Sequence, residues 1–248
     1  MDKLQISAKK LGELAMPDFC PRCFWICAHM KGELPFQIFP QIFGHIDRYT
    51  KRVVHVYIDE HGVAPPWLEI LGDVNNYIDP PNSASFRMPF GDNILLTGEA
   101  DAILKCKDGS LIIADYKTAF AKTDDDPLYP IYKVQLNAYA LLASHCGFGT
   151  AASLALIYME PWTGEESAKL TINQREDGFA LGFHATVLEV PLNSKIITAL
   201  AEKAWKIYCE PSCPEGTKGC KNCRQTKELN DVQMRVLGSK AAYAAAFK

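Results

Sequence analysis

Hydrophobic and polar positions follow two different periods along this chain. From Ile94 to Cys106 and from Leu111 to Lys117 the runs are short, apolar and strand-like, joined at Lys107, Asp108 and Gly109. From about Ile131 to His145 the period lengthens to that of a helix. Upstream, Ser7 suits the N-cap of a short helix through about Leu14, which Pro17 ends. The run FCPRCFWICAHM reads as a second helix with an aromatic and cysteine face, and a longer helix covers about Phe43 to Val54. Gly62 to Phe90, rich in Pro, Asn and Ser, predicts an irregular or edge region with a strand near Trp67 to Leu71. Downstream, strands are expected at Ser153 to Met159, Lys169 to Asn173 and, at an edge, Phe183 to Val190. Ser194 then caps a last long helix to about Tyr208, and the AAYAAAFK tail is a short helix or a frayed end. Strands alternating with helices in this way predict an α/β protein, a mixed sheet with helices packed against it.

Composition narrows the class. At 248 residues, 48% apolar and 22% charged, the chain has an ordinary soluble make-up and is long enough to bury a sizeable core. A single domain over residues 1–248 is expected, its core at about 94–160, with the helices of 1–60 packed against the Cys-rich segment 205–225. The charge, 26 − 29 = −3, does not advertise nucleic-acid binding but leaves room for a local basic groove. Lys105, Lys107, Lys122 and Lys133 are candidates for phosphate contacts and equally ordinary surface lysines, and the Asp124 to Asp126 run reads as a solvated loop. MDKLQISAKK lacks the apolar core of a signal peptide, and no run of about 18 apolar residues exists to span a bilayer. A cytoplasmic location without membrane association is therefore expected. In that reducing setting the nine cysteines are better read as ligands than as disulfides.

The chemistry concentrates in GEADAILKCKDGSLIIADYKT, residues 98–118. Asp101 and Asp115 stand where a strand would normally carry Val or Ile. A three-residue loop with Gly109 in the left-handed third position would pair Asp101 with Asp115 and send both, with Lys117, to one side. A two-residue turn would instead put Asp115 on the opposite face. Opposed carboxylates repel, and Mg²⁺ or Mn²⁺ would offset that cost, since these ions need only one or two protein carboxylates. Lys117 would stand beside such an ion and help activate a water or stabilise charge on a phosphate. On the next helix Gln135 and Tyr139 are i and i+4, so they share a face.

The order GEAD, ADYKT and QLNAY resembles the PD-(D/E)XK nuclease superfamily, and more narrowly its RecB-type branch. That branch includes helicase-linked RecB/AddB nuclease domains and the iron–sulfur nuclease of CRISPR adaptation modules. The resemblance implies a restriction-endonuclease-like core, a central mixed β-sheet flanked by helices. It also implies a Mg/Mn-dependent deoxyribonuclease acting as an exonuclease on single strands or ends, in repair, recombination or CRISPR adaptation. Asp101 and Asp115 take the metal-ligand positions and Lys117 the catalytic lysine, while Gln135 and Tyr139 match the Q-x-x-x-Y motif. FGHID offers His45 as a further metal ligand, with Asp47 as its rival; two residues apart, they face different sides of a helix. DNA is the implied partner, alongside a helicase or integrase-like protein. A binding or assembly subunit with little activity alone, and a zinc-stabilised scaffold, are the alternatives.

FCPRCFWI is similar to the opening of RecB-type nucleases, whose first cysteine joins three late ones around a [4Fe–4S] cluster. Cys20 is the matching position, and Cys213, Cys220 and Cys223 are the candidate partners, with Cys209 as substitute. The downstream pattern departs from the branch's C-x2-C-x5-C, since position 229 is Leu229. Two other readings stay open: a tetrahedral zinc site from Cys209, Cys213, Cys220 and Cys223, or free thiols, with Cys23 and Cys27 as helix packing.

Overall fold

In a computed structural model, describing residues 3–30, 40–122 and 126–237, the run LIIADYK is buried at every position but the last. A strand apolar on both faces belongs at the centre of a covered sheet, and this one lies there. The chain opens with β1 (Leu4–Ser7), α1 (Ala8–Glu13), α2 (Pro21–Met30) and α3 (Gln41–His61). Next come β2 (Val74–Ile78), β3 (Arg87–Phe90), β4 (Ile94–Thr97), β5 (Ala102–Cys106) and β6 (Leu111–Lys117). α4 (Tyr129–His145), β7 (Ala151–Pro161), α5 (Glu165–Lys169), β8 (Gln174–Arg175) and β9 (Gly178–Phe179) follow, then β10 (Phe183–Val190), α6 (Lys195–Tyr208) and α7 (Lys221–Leu237).

The main sheet is five-stranded and mixed, in the order β10-β7-β6-β5-β2, with β6 and β7 parallel and the other pairs antiparallel. Helix α4 makes the crossover that a parallel pair requires. On one face Val54 and Ile58 of α3 pack over Ala102, Leu104, Ile112, Ala114 and Tyr116. A second sheet, β1-β4-β3, pairs β1 parallel and β3 antiparallel to β4. The fold is α/β, a five-stranded mixed sheet flanked by helices, consistent with a restriction-endonuclease-like core. Among the described residues no helix is long and apolar enough to cross a membrane.

The residues group into two compact units, one of Met1–Met16 and Phe39–Glu202, the other of Pro17–Ile38 and Lys203–Lys248. The first holds both sheets. The second draws an early and a late segment together, carrying α2 and α7. Within it Trp25 Nε1 donates to the Glu210 carbonyl at 3.1 Å and Thr217 Oγ1 to that of Phe19 at 2.7 Å.

Several elements differ from expectation, each for a local reason. Ile94 to Cys106 is two strands in two sheets, broken at Gly98–Asp101. Gly98 donates to the Phe86 carbonyl and lies against the Tyr139 ring, which turns the chain out of the first sheet. Trp67 to Leu71 is a 3₁₀ turn begun by Pro65 and Pro66. Lys169 to Asn173 is a helix end and a 3₁₀ turn, where Lys169 pairs back to Glu165 and Glu166. Helix α3 runs on to His61, where Gly62 at φ 68° caps it. Strands β1, β2 and β3 and helix α7 were not anticipated; α7 is largely polar, stitched by pairs such as Lys227–Asp231 at 2.8 Å. The AAYAAAFK tail and Asp124–Asp125 lie outside the described residues.

Candidate active site and cysteine cluster

The β5–β6 hairpin has the three-residue loop expected of it. Lys105 pairs with Leu111 and Ala102 with Ala114, so Asp101, one residue before β5, comes level with Asp115. Gly109 holds φ 86° and donates to the Cys106 carbonyl at 2.9 Å. A residue with a Cβ is strained at that angle, which is why glycine closes the loop.

Asp115 is 2% exposed. Its Oδ1 accepts from Gln135 Nε2 at 3.4 Å, and its Oδ2 forms an ion pair with Lys117 Nζ and has no further hydrogen-bond donor. Burial pushes the Asp115 carboxyl up to about 7, with Asp101 adding to the rise and Lys117 opposing it. Lys117 responds the other way. Burial would lower it, but the Asp115 carboxylate, helped by Asp101, holds it above its ordinary value. Above about pH 7 the carboxyl is therefore ionised while the lysine keeps its proton. The ammonium also lies 4.3 Å from the centre of the Tyr132 ring.

Behind the carboxyl, Gln135 Nε2 donates to Tyr139 Oη at 2.8 Å, both side chains projecting from one face of α4. A Cβ at Gly98 would stand 2.6 Å from Tyr139 Cε1, so GEAD needs its glycine for the tyrosine to lie there.

Asp101 is held from two sides. Its Oδ2 accepts from the Tyr116 backbone at 3.1 Å, and its Oδ1 lies 2.8 Å from Lys51 Nζ. The same ammonium lies 2.8 Å from Asp47 Oδ2, one turn earlier on α3. Burial, then Asp101, pushes the Asp47 carboxyl up, against the pull of Lys51 and Lys117. His45 has a different setting: it is exposed, and its Nδ1 lies 3.0 Å from Arg48 Nη2. On α3 it is the rival Asp47 that joins Asp101, through Lys51. Lys51 was missed by the sequence reading, although Asp47 and Lys51 at i and i+4 are a helix pairing signal. Asp101, Asp115, Lys117, Gln135 and Tyr139 are brought together.

In the other unit the sulfurs of Cys20, Cys23, Cys220 and Cys223 all lie within 4.8 Å of one another. This corrects the expected set: Cys23 takes the fourth place, and Cys213 and Cys209 stand outside. The local cause is two C-x2-C turns, Cys20–Cys23 and Cys220–Cys223, running into the first turns of α2 and α7. Cys213 instead bonds the Arg22 side chain, which holds that guanidinium more firmly charged. Burial raises Cys20, but the backbone N–H groups of Cys23 and Thr217 and the neighbouring thiols bring it down to about 7. Burial pushes Cys23 up strongly and Cys223 to about 11. Four cysteines gathered together are a donor set that zinc and iron–sulfur centres both use.

The fold and this acidic site define a nuclease-type α/β protein. The model of the PD-(D/E)XK nuclease superfamily matches residues 42–225, and the chain belongs to that superfamily. Among solved structures, SSO0001 is similar at 18% identity, covering 84% of this chain and 78% of that one with a TM-score of 0.40. Among curated proteins none matches.

Proposed function

We propose that this chain is a metal-dependent DNA nuclease of the RecB type, an exonuclease acting on single strands or ends. The observation that carries this reading is the Asp115 carboxylate, buried, paired with Lys117 and level with Asp101 across a hairpin. Its Oδ2 has the Lys117 ammonium as a partner and no further hydrogen-bond donor, so a hard cation can share that oxygen. Asp101 and Asp115 would hold Mg²⁺ or Mn²⁺, with Asp47 taking the further ligand role in place of His45. When bound, such an ion supplies a water of lowered pKa and charge for the departing phosphate oxygens.

The chain's own residues divide the remaining work. Lys117, kept protonated by Asp115, donates hydrogen bonds to a scissile phosphate and stabilises the charge that builds there, rather than removing a proton. Gln135 fixes the orientation of the Asp115 carboxylate, and Tyr139 fixes Gln135. Lys51 balances the charge of Asp47 and Asp101, the carboxylates that would hold the cation. The setting we propose is cytoplasmic DNA repair, recombination or CRISPR adaptation, by the resemblance to the RecB-type branch.

End-labelled single- and double-stranded DNA, incubated with the full chain and Mn²⁺ beside a Lys117→Ala variant, tests the proposal. Cleavage by wild type and loss of at least a hundredfold in the variant is expected. Equal activity would place the chemistry elsewhere. Equal inertness would overturn a stand-alone nuclease and favour a subunit acting with a helicase or integrase-like partner.

A further inference from the structure

We infer that Cys20, Cys23, Cys220 and Cys223 form a tetrahedral site for one zinc ion, distinct from the acidic site and independent of the nuclease reading. Spacing carries it. Cys20 and Cys223 stand 3.5 Å apart, and Cys23 lies 3.6 Å from both Cys220 and Cys223. Four Zn–S bonds of about 2.3 Å in a tetrahedron set their sulfurs about 3.8 Å apart. In a four-iron cluster each thiolate sits on a different iron. Two iron–sulfur bonds and an iron–iron edge then separate any pair, a span wider than the 4.8 Å within which all four of these sulfurs lie.

The surrounding chain is shaped for one small centre. A Cβ on Gly216 would stand 2.7 Å from Cys223 Sγ and 3.6 Å from Cys20 Sγ, so glycine leaves the room the sulfurs use. The Thr217 backbone donates to Cys20 Sγ at 3.4 Å, an outer-sphere bond that steadies a thiolate. Gly219, at φ 81°, turns the chain into Cys220.

The unit also needs an ion. Among its described residues only Cys20, Phe24 and Ala204 are buried apolar side chains. A core of that size does not fold a segment pair separated by almost the whole chain, and structural metal supplies folding free energy where apolar burial is small. Zinc has no redox chemistry, so the site closes this unit without responding to oxidants as an iron–sulfur cluster would.

The test is the metal content of the full-length chain purified without air, beside Cys23→Ser and Cys213→Ser. One zinc per chain, no inorganic sulfide and no visible colour are expected. Exchange with Co²⁺ should give the visible bands of tetrahedral thiolate coordination. Cys213→Ser should keep its zinc, whereas Cys23→Ser should lose affinity at least tenfold. Stoichiometric iron with sulfide, a wild type that carries no metal, or a Cys213→Ser variant that loses its ion would each overturn the inference. The first two readouts need no variant, so a misfolded Cys23→Ser does not protect it.

Discussion

Replacing Asp115 by Asn should stabilise the metal-free protein at pH 8 while abolishing its activity. The carboxyl is raised from its ordinary 3.8 to about 7 by burial, with Asp101 adding to the rise and Lys117 opposing it. At about 1.4 kcal/mol per pH unit, ionising it in the folded protein costs about 4 kcal/mol more than in the unfolded chain. Asparagine removes that cost, but its NH2 must face one of two donors, Gln135 Nε2 or Lys117 Nζ, and the unsatisfied pair costs about 2 kcal/mol. The net gain is about 2 kcal/mol, a Tm rise of roughly 4–8 °C for a chain of this size. The sign follows from proton uptake. The folded state binds this proton more tightly, so between about pH 4 and 7 the unfolded chain holds fewer protons and wild-type stability falls as pH rises. The advantage of Asp115→Asn should therefore shrink below pH 7 and vanish near pH 5. Thermal unfolding from pH 5 to 8, with and without Mn²⁺, measures it. Mn²⁺ should raise the wild-type Tm far more than that of the variant. A variant less stable than wild type at pH 8, or a difference that does not change with pH, would refute the reasoning.

Two further changes probe what holds the site. Gly98→Ala drives a methyl to 2.6 Å from Tyr139 Cε1, so stability should drop by about 1–3 kcal/mol and cleavage by about tenfold as Gln135 loses its anchor. Wild-type unfolding and cleavage in that variant would show that the ring is not pinned there. Lys51→Gln leaves Asp47 and Asp101 facing each other without the ammonium 2.8 Å from both. Urea unfolding at pH 8 should show a loss of about 1 kcal/mol without divalent ion, and less with Mn²⁺; an unchanged midpoint would mean the ammonium contributes nothing.

What could be read in the sequence was whatever depended on a few neighbouring residues. Gly109 dictated a three-residue loop, and the loop dictated that Asp101 meets Asp115. The i, i+4 spacing of Gln135 and Tyr139 put them on one face of α4, where they bond. Events decided by distant contacts were not legible. The break at Gly98 depends on a ring forty-one residues later in the chain (139 − 98 = 41). Lys51 became part of the site only when α3 met the hairpin, since nothing in KRVV marks a lysine as a partner of Asp101. Cys23 was legible and misread. Its C-x2-C spacing to Cys20 repeats at Cys220 and Cys223, yet the aromatic company of FCPRCFWI argued for helix packing, and the branch's late-cysteine pattern drew attention to Cys213.

The two sites solve the problem of concentrated negative charge in opposite ways, and the difference follows from what surrounds each. The acidic site is built on a sheet with a deep apolar core, and Lys51 and Lys117 neutralise its carboxylates from within the same unit. A scaffold with that much apolar burial would not rely on the cation to fold, and an ion that exchanges and carries water into a reaction is compatible with it. The cysteine group sits where three buried apolar side chains are all the core there is among the described residues of its unit, and there an ion would contribute directly to folding. A permanent structural ion and a replaceable catalytic one would therefore be distinguished in this chain by how much apolar burial lies beneath each, as much as by the softness of sulfur and the hardness of oxygen.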